Sequence, residues 1–158
     1  MISQKVSRLL IEQVGSELRA HQFYLSVSIW FDRQSLKRWA KLWHDQSVEE
    51  AGHASKIMEF LIDNDVDFDL PALKASSTKF ASAAAAVEQA LEAERAVTKQ
   101  FNKLAEAATE ESDHGSFQFV QWFIEEQVEE ERKAQGLLDL VNSGINLYQA
   151  EPLLDQFE

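Results

Sequence analysis

Across Trp39-Ala40-Lys41-Leu42-Trp43-His44-Asp45-Gln46-Ser47-Val48-Glu49-Glu50-Ala51-Gly52-His53-Ala54-Ser55-Lys56-Ile57-Met58-Glu59-Phe60, one set of residues recurs at alternating steps of four and three. The set is Trp39, Trp43, Gln46, Glu50, His53, Ile57 and Phe60. That period is the buried face of a helix packed in a bundle. The face is apolar at both ends and polar in the middle, where Glu50 and His53 interrupt it.

Three further segments repeat this design. The first, from about Lys5 to Asp32, carries Val6, Leu10, Val14, Glu17, His21, Tyr24, Ser28 and Phe31. The second, from about Leu36 to Asp63, holds the stretch above. The third, from about Ala83 to Glu110, carries Ala83, Val87, Ala90, Glu94, Val97, Phe101, Leu104 and Ala108. The fourth, from about Gly115 to Val141, carries Phe119, Phe123, Gln127, Glu130, Ala134, Leu137 and Val141. Arg33-Gln34-Ser35 is a short link with Ser35 as the expected N-cap. Glu111-Ser112-Asp113-His114 is a short polar turn. Gly144 marks a helix stop, and Asn146 to Phe157 reads as a short fifth helix with Pro152 inside it.

The link from Asn64 to Phe80 differs from the other two. Fully extended, its roughly 17 residues reach about 55 Å, whereas a helix of about 27 residues is about 40 Å long. This link can cross the whole bundle and set the third segment parallel to the second. The expected fold is therefore all-α, a four-helix bundle with one long crossover and a short C-terminal helix in one domain over residues 1–158, and this connectivity resembles the ferritin-like four-helix bundle.

Composition agrees. The 158 residues include only 5 Gly and 2 Pro, and 45% are apolar. Acids outnumber bases 27 to 15, for a net charge of −12. Nucleic acid and anionic membrane need a basic face, so neither is an expected partner. The chain has no cysteine, which removes disulfides, thiolate zinc sites and a Cys-ligated peroxidase iron. No apolar run is long enough to span a bilayer, and the first residues lack a signal-peptide core. A cytoplasmic location is expected.

Helices of similar length packed side by side share a midpoint. Glu17, Glu50, His53, Glu94, Gln127 and Glu130 should therefore meet at one level of the core. Buried carboxylates cost several kcal/mol each unless they are neutralised. Protonation is one remedy, and a multivalent cation is a fuller one. A set of oxygens with one imidazole suits iron or manganese, with zinc also compatible. Glu111-x-x-His114 has the same spacing as Glu50-x-x-His53, but lies in the turn and reads as coincidence.

At Glu17 with Tyr24, and at Gln46 to His53, the sequence resembles ferritins, over nearly the whole chain. The second Glu-x-x-His of bacterioferritins is replaced by Gln127-x-x-Glu130. The only methionines, Met1 and Met58, do not flank Glu50, so no haem is expected. The run Glu125-Glu126-Gln127-Val128-Glu129-Glu130-Glu131 resembles bacterial non-haem ferritins. That resemblance implies a first iron site of Glu17, Glu50 and His53. It implies a second of Glu50, Glu94 and Glu130 with Gln127 nearby, bridged to the first by Glu50. It also implies a third of Glu49, Glu126, Glu129 and Glu130. Tyr24 becomes an electron or hydrogen-bond donor to the centre, with a core tyrosine as the alternative. His21 reads first as packing and second as a partner of the ligands. Animal ferritins place two carboxylates in an access channel early in the fourth helix, and Phe117 to Gln121 has none.

The function implied is iron storage with ferroxidase activity. The centre oxidises Fe(II) with O2 or peroxide, and a homo-oligomeric shell of 24 subunits takes up the Fe(III) mineral. Two other readings use the same residues: a di-iron oxidase acting on a small organic substrate, and a metal-free acidic bundle with a structural role.

Overall fold

The computed structural model describes residues 2–158. Four long helices carry the chain: α1 Gln4–Arg33, α2 Lys37–Asp63, α3 Ala83–Glu110 and α4 His114–Asn142. No strand occurs among the described residues. The four segments expected from the periodicity are all present, with ends shifted by a residue or so.

Hydroxyl and carboxylate caps start three of the helices. Ser3 accepts from Val6 N, Ser82 from Ala85 N and Asp113 from Ser116 N. Each satisfies an amide that the first turn leaves without a partner. α2 lacks such a cap, because Ser35 does not serve it. Ser35 instead adopts φ 61°, and Leu36 N bonds back to Phe31 O at 3.1 Å. This is a six-to-one closure of α1, with Ser35 as the left-handed residue just past its end. Asp65 and Ser112 do the same after α2 and α3, with φ 58° and 55°. The local sequence pointed to the start of α2, whereas the chain uses Ser35 to finish α1.

The core falls into two apolar clusters. One contains Tyr24, Phe31, Trp39, Trp43, Val87, Ala90 and Leu137. The other contains Val6, Leu10, Ile57, Phe101, Leu104 and Phe123. α1 and α4 run from the second cluster to the first, and α2 and α3 run from the first to the second. α3 is therefore parallel to α2, as the long link allows. The path of that link is visible in its packing. Val66 and Phe68 lie on the second cluster, and Phe80 packs edge-on against Phe23 and Trp30 beside the first. Midway, Pro71 comes so close to Gly15 that a Cβ there would sit 2.9 Å from the proline ring. Glycine at 15 lets the crossover lie flat on α1.

The C-terminal segment is shorter as a helix than expected. α5 covers only Leu147–Ala150, and a 3-10 helix, Glu151–Phe157, follows. Pro152 lacks the amide proton that a continuing α-helix would use there, and the segment tightens instead. It is nevertheless well anchored. Trp39 Nε1 donates to Leu147 O at 3.0 Å, Arg38 N donates to a Glu151 carboxylate at 3.0 Å, and Arg38 pairs with Asp155. Phe157 lies against Gly136, where a Cβ would meet its ring at 2.7 Å.

Candidate metal centre

Between the two clusters, all four helices turn polar side chains inward. Glu17 is 0% exposed, Glu50 3%, His53 4%, Glu94 3%, Gln127 2% and Glu130 6%. The helical period that builds the core builds this layer too. Every member occupies a stripe position where an apolar residue would otherwise pack.

The layer divides into two groups that share one residue. Ligand atoms of Glu17, Glu50 and His53 lie within 4.8 Å of one another, as do those of Glu50, Glu94 and Glu130. His53 Nδ1 lies 3.0 Å from Glu50 Oε2 and 3.6 Å from Glu17 Oε2. The Tyr24 hydroxyl donates to Glu94 Oε1. Gln127 Nε2 donates to Glu94 Oε2 at 3.0 Å. Glu49 and Glu126, expected in a third group, come together with His53 within the same 4.8 Å span. Glu129 is not part of that triad. It lines an open hollow with Glu49, Glu130, Arg132, Lys133 and the C-terminal residues.

Electrostatically the layer is unsettled without a cation. Burial, followed by the neighbouring Glu50 charge, pushes Glu94 up to about 7. Burial together with Glu94, Glu49 and Glu50 pushes Glu130 up to about 9, against the pull of Lys133. Burial also raises Glu50, and Glu17 adds to the effect. For His53, burial acts downward, yet the Glu17 and Glu50 carboxylates outweigh it and hold the imidazole protonated up to about 11. Burial and Glu94 raise Tyr24 well above its usual 10. Protons thus hold the negative charge in check. One atom is only partly compensated: Glu17 Oε2 is buried and forms no hydrogen bond, and its nearest cation is the His53 imidazole at 3.6 Å. A divalent cation beside Glu17, Glu50 and His53 would satisfy it, and a second could sit among Glu50, Glu94 and Glu130. The donor set is oxygen-rich with a single nitrogen, which fits iron.

Sequence periodicity finds these six residues but misses their supports. Gln13, 3% exposed, donates to Glu17 Oε1 at 2.7 Å. Gln46 donates to both Glu50 and Glu130. Lys133 reaches Gln46 from the surface. Gln46 stands on the α2 stripe, so its position was visible and its double bond was not. His21 is half-buried and bonds Ser47 O at 2.7 Å, which places it on the backbone and not on a ligand carboxylate. His44 and His114 are exposed. Trp122 packs edge-on against His53 at 5.6 Å, with Lys56 over its ring.

A four-helix bundle with a long second crossover and carboxylates plus imidazole at its waist belongs to the class of metal-handling carboxylate bundles. Comparison with known proteins narrows the class. The model of the ferritin-like domain family matches residues 8–143. The chain is 35% identical to ferritin BfrB of Mycolicibacterium smegmatis over 151 residues, covering 95% of this chain and 83% of that protein. It is 33% identical to the bacterial non-heme ferritin of Campylobacter jejuni, covering 96% and 93%. An open-pore ferritin from Archaeoglobus fulgidus superposes with a TM-score of 0.93 at 31% identity, covering 99% of this chain and 98% of that one. The chain belongs to the ferritin family of iron-storage proteins. Among the described residues, no helix is long and apolar enough to cross a membrane.

Proposed function

We propose that this protein is a ferroxidase of the bacterial non-haem type. It oxidises Fe(II) at a two-ion centre within each subunit and stores the Fe(III) as mineral in a shell of 24 copies in the cytoplasm. The observation that carries the reading is the pair of buried ligand groups joined at Glu50. Glu17, Glu50 and His53 hold the first substrate ion. Glu50, Glu94 and Glu130 hold the second, with Gln127 orienting Glu94. Two Fe(II) ions give one electron each to O2, which takes up two protons and leaves as hydrogen peroxide. With peroxide as oxidant, the same two electrons and two protons yield water. The protons held by Glu94, Glu130 and His53 leave as the ions bind, so the centre exchanges one form of charge compensation for another.

The second group has no imidazole, which favours looser holding and onward passage of its ion. Glu49 and Glu126, near His53 at the edge of the centre, are the proposed third position, with Glu129 and Glu130 facing the adjoining hollow. Tyr24, hydrogen-bonded to Glu94, is the proposed electron or proton donor to the pair.

An oxidase acting on an organic molecule would have to hold its substrate outside the bundle. The cavity beside Glu94 and Glu130 holds about 10 Å³, room for a water-sized guest, and the hollow of about 430 Å³ at Glu130 is open to solvent.

Glu50→Ala tests the assignment, because it removes a ligand from both groups. The parent should show rapid Fe(II) oxidation on mixing with aerated buffer, and the variant should fall toward the uncatalysed rate. A variant as fast as the parent would place the chemistry elsewhere.

A further inference from the structure

The second ion position already holds a donor from the chain. Gln46 Nε2 donates to Glu50 Oε1 at 3.0 Å and to Glu130 Oε2 at 2.8 Å. Glu50 and Glu130 are two of the three carboxylates in the second group. One amide nitrogen therefore spans the pair that a second cation would span. The other end of the amide is fixed as well: Lys133 Nζ donates to Gln46 Oε1 at 2.7 Å. Gln46 is 2% exposed, and its partners are the Lys133 ammonium and two carboxyl groups, so the bond from Lys133 belongs to the stronger, charge-assisted kind. Lys133 pulls electron density from the amide oxygen and strengthens the amide N–H groups as donors. The positive charge is relayed in this way to the place where the second ion belongs.

Lys133 also lies at a boundary. It lines the small cavity of about 10 Å³ shared by Tyr24, Trp43, Gln46, Glu94 and Glu130. It lines equally the open hollow of about 430 Å³ bordered by Glu49, Glu129 and Glu158. A released Lys133 therefore has carboxylates to turn toward on the solvent side.

We propose that Gln46 and Lys133 form a latch that occupies the second ion position and must be displaced before that ion binds. The proposal rests on the two-ion reading above. Its energetics follow from linkage: whatever the latch contributes to the metal-free state is subtracted from the affinity for the ion that displaces it. The first ion position is affected less, since Gln46 touches neither Glu17 nor His53. The latch makes loading ordered, with the first position filling before the second. Gln46 and Lys133 are positioning residues here and not ligands.

The test is calorimetric titration of the metal-free protein with Zn²⁺, which binds without redox chemistry. The parent should bind at least two ions per chain, and Glu94→Ala identifies the second by abolishing it. Gln46→Leu should then tighten the second ion about tenfold, the value of one hydrogen bond, and leave the first within about threefold. Lys133→Gln keeps the core intact and should tighten the second ion in the same direction by a smaller factor. The metal-free Gln46→Leu protein should also melt lower, and its gain in melting temperature on saturation with Zn²⁺ should exceed the parent's. A second ion that binds Gln46→Leu and Lys133→Gln no more tightly than the parent overturns the latch. A parent that binds fewer than two ions overturns the two-ion reading itself, so the two failures are distinct.

Discussion

At the scale of single residues, the centre is a set of exceptions to core packing, and its charge state sets a testable pH response. Glu94 and Glu130 titrate at about 7 and about 9 in the folded chain, against 4.5 for an ordinary glutamate. His53 titrates at about 11 against 6.5. In every case the folded state keeps its proton to higher pH than the unfolded chain does. Stability falls with pH wherever the folded state binds more protons. The contribution of these groups is complete below their unfolded values and is lost as pH rises through the folded ones. The melting temperature of the metal-free protein should decline between about pH 5 and pH 9. Saturating Zn²⁺ should flatten or reverse that slope, because bound metal replaces the protons. A metal-free melting temperature that climbs steadily to pH 9 would refute this charge assignment. The six residues of the layer were legible because each broke an apolar stripe at mid-helix. Gln13 was not, since it sits one place off the stripe beside Val14. Neither was Lys133, a surface cation whose long side chain carries its charge inward.

At the scale of elements, four helices were legible because each keeps a four-three period for about seven turns, and packing along that face outweighs local propensity. Their ends were less legible. Ser35, Asp65 and Ser112 adopt left-handed conformations where glycine is usual, and no local signal distinguishes such a stop from the next helix's cap. The proline-bearing tail settled into a 3-10 helix for the covalent reason given above. One cap carries more than its own helix. Asp113 accepts from Ser116 N at 3.0 Å, from Ser116 Oγ at 2.8 Å and from Ser3 N at 3.3 Å, so it joins the start of α4 to the start of α1. Asp113→Ala should cost about 1–2 kcal/mol, read as a lower denaturation midpoint, while Asp113→Asn should recover much of the loss. Equal midpoints for parent and alanine variant would contradict this role.

At the scale of the whole molecule, four helices of similar length bring their midpoints to one level, and the crossover from Asn64 to Phe80 sets α3 parallel to α2 there. Gly15 under Pro71 is the place where the sequence makes room for that path. Two apolar clusters hold the bundle at either end of the polar layer. The cost of burying acids is thereby confined to the waist, where a bound cation would offset it. A net charge of −12 draws cations toward the molecule, an effect that weakens as salt rises. The proposed role of this waist is to oxidise iron for storage. The most direct measurement is to add Fe(II) in air to the metal-free protein, then size the product and count its iron. A ferroxidase shell should emerge as a large hollow particle that retains far more iron than two or three ions per chain. A monomer or dimer holding no more iron than its ligand groups can bind would contradict it.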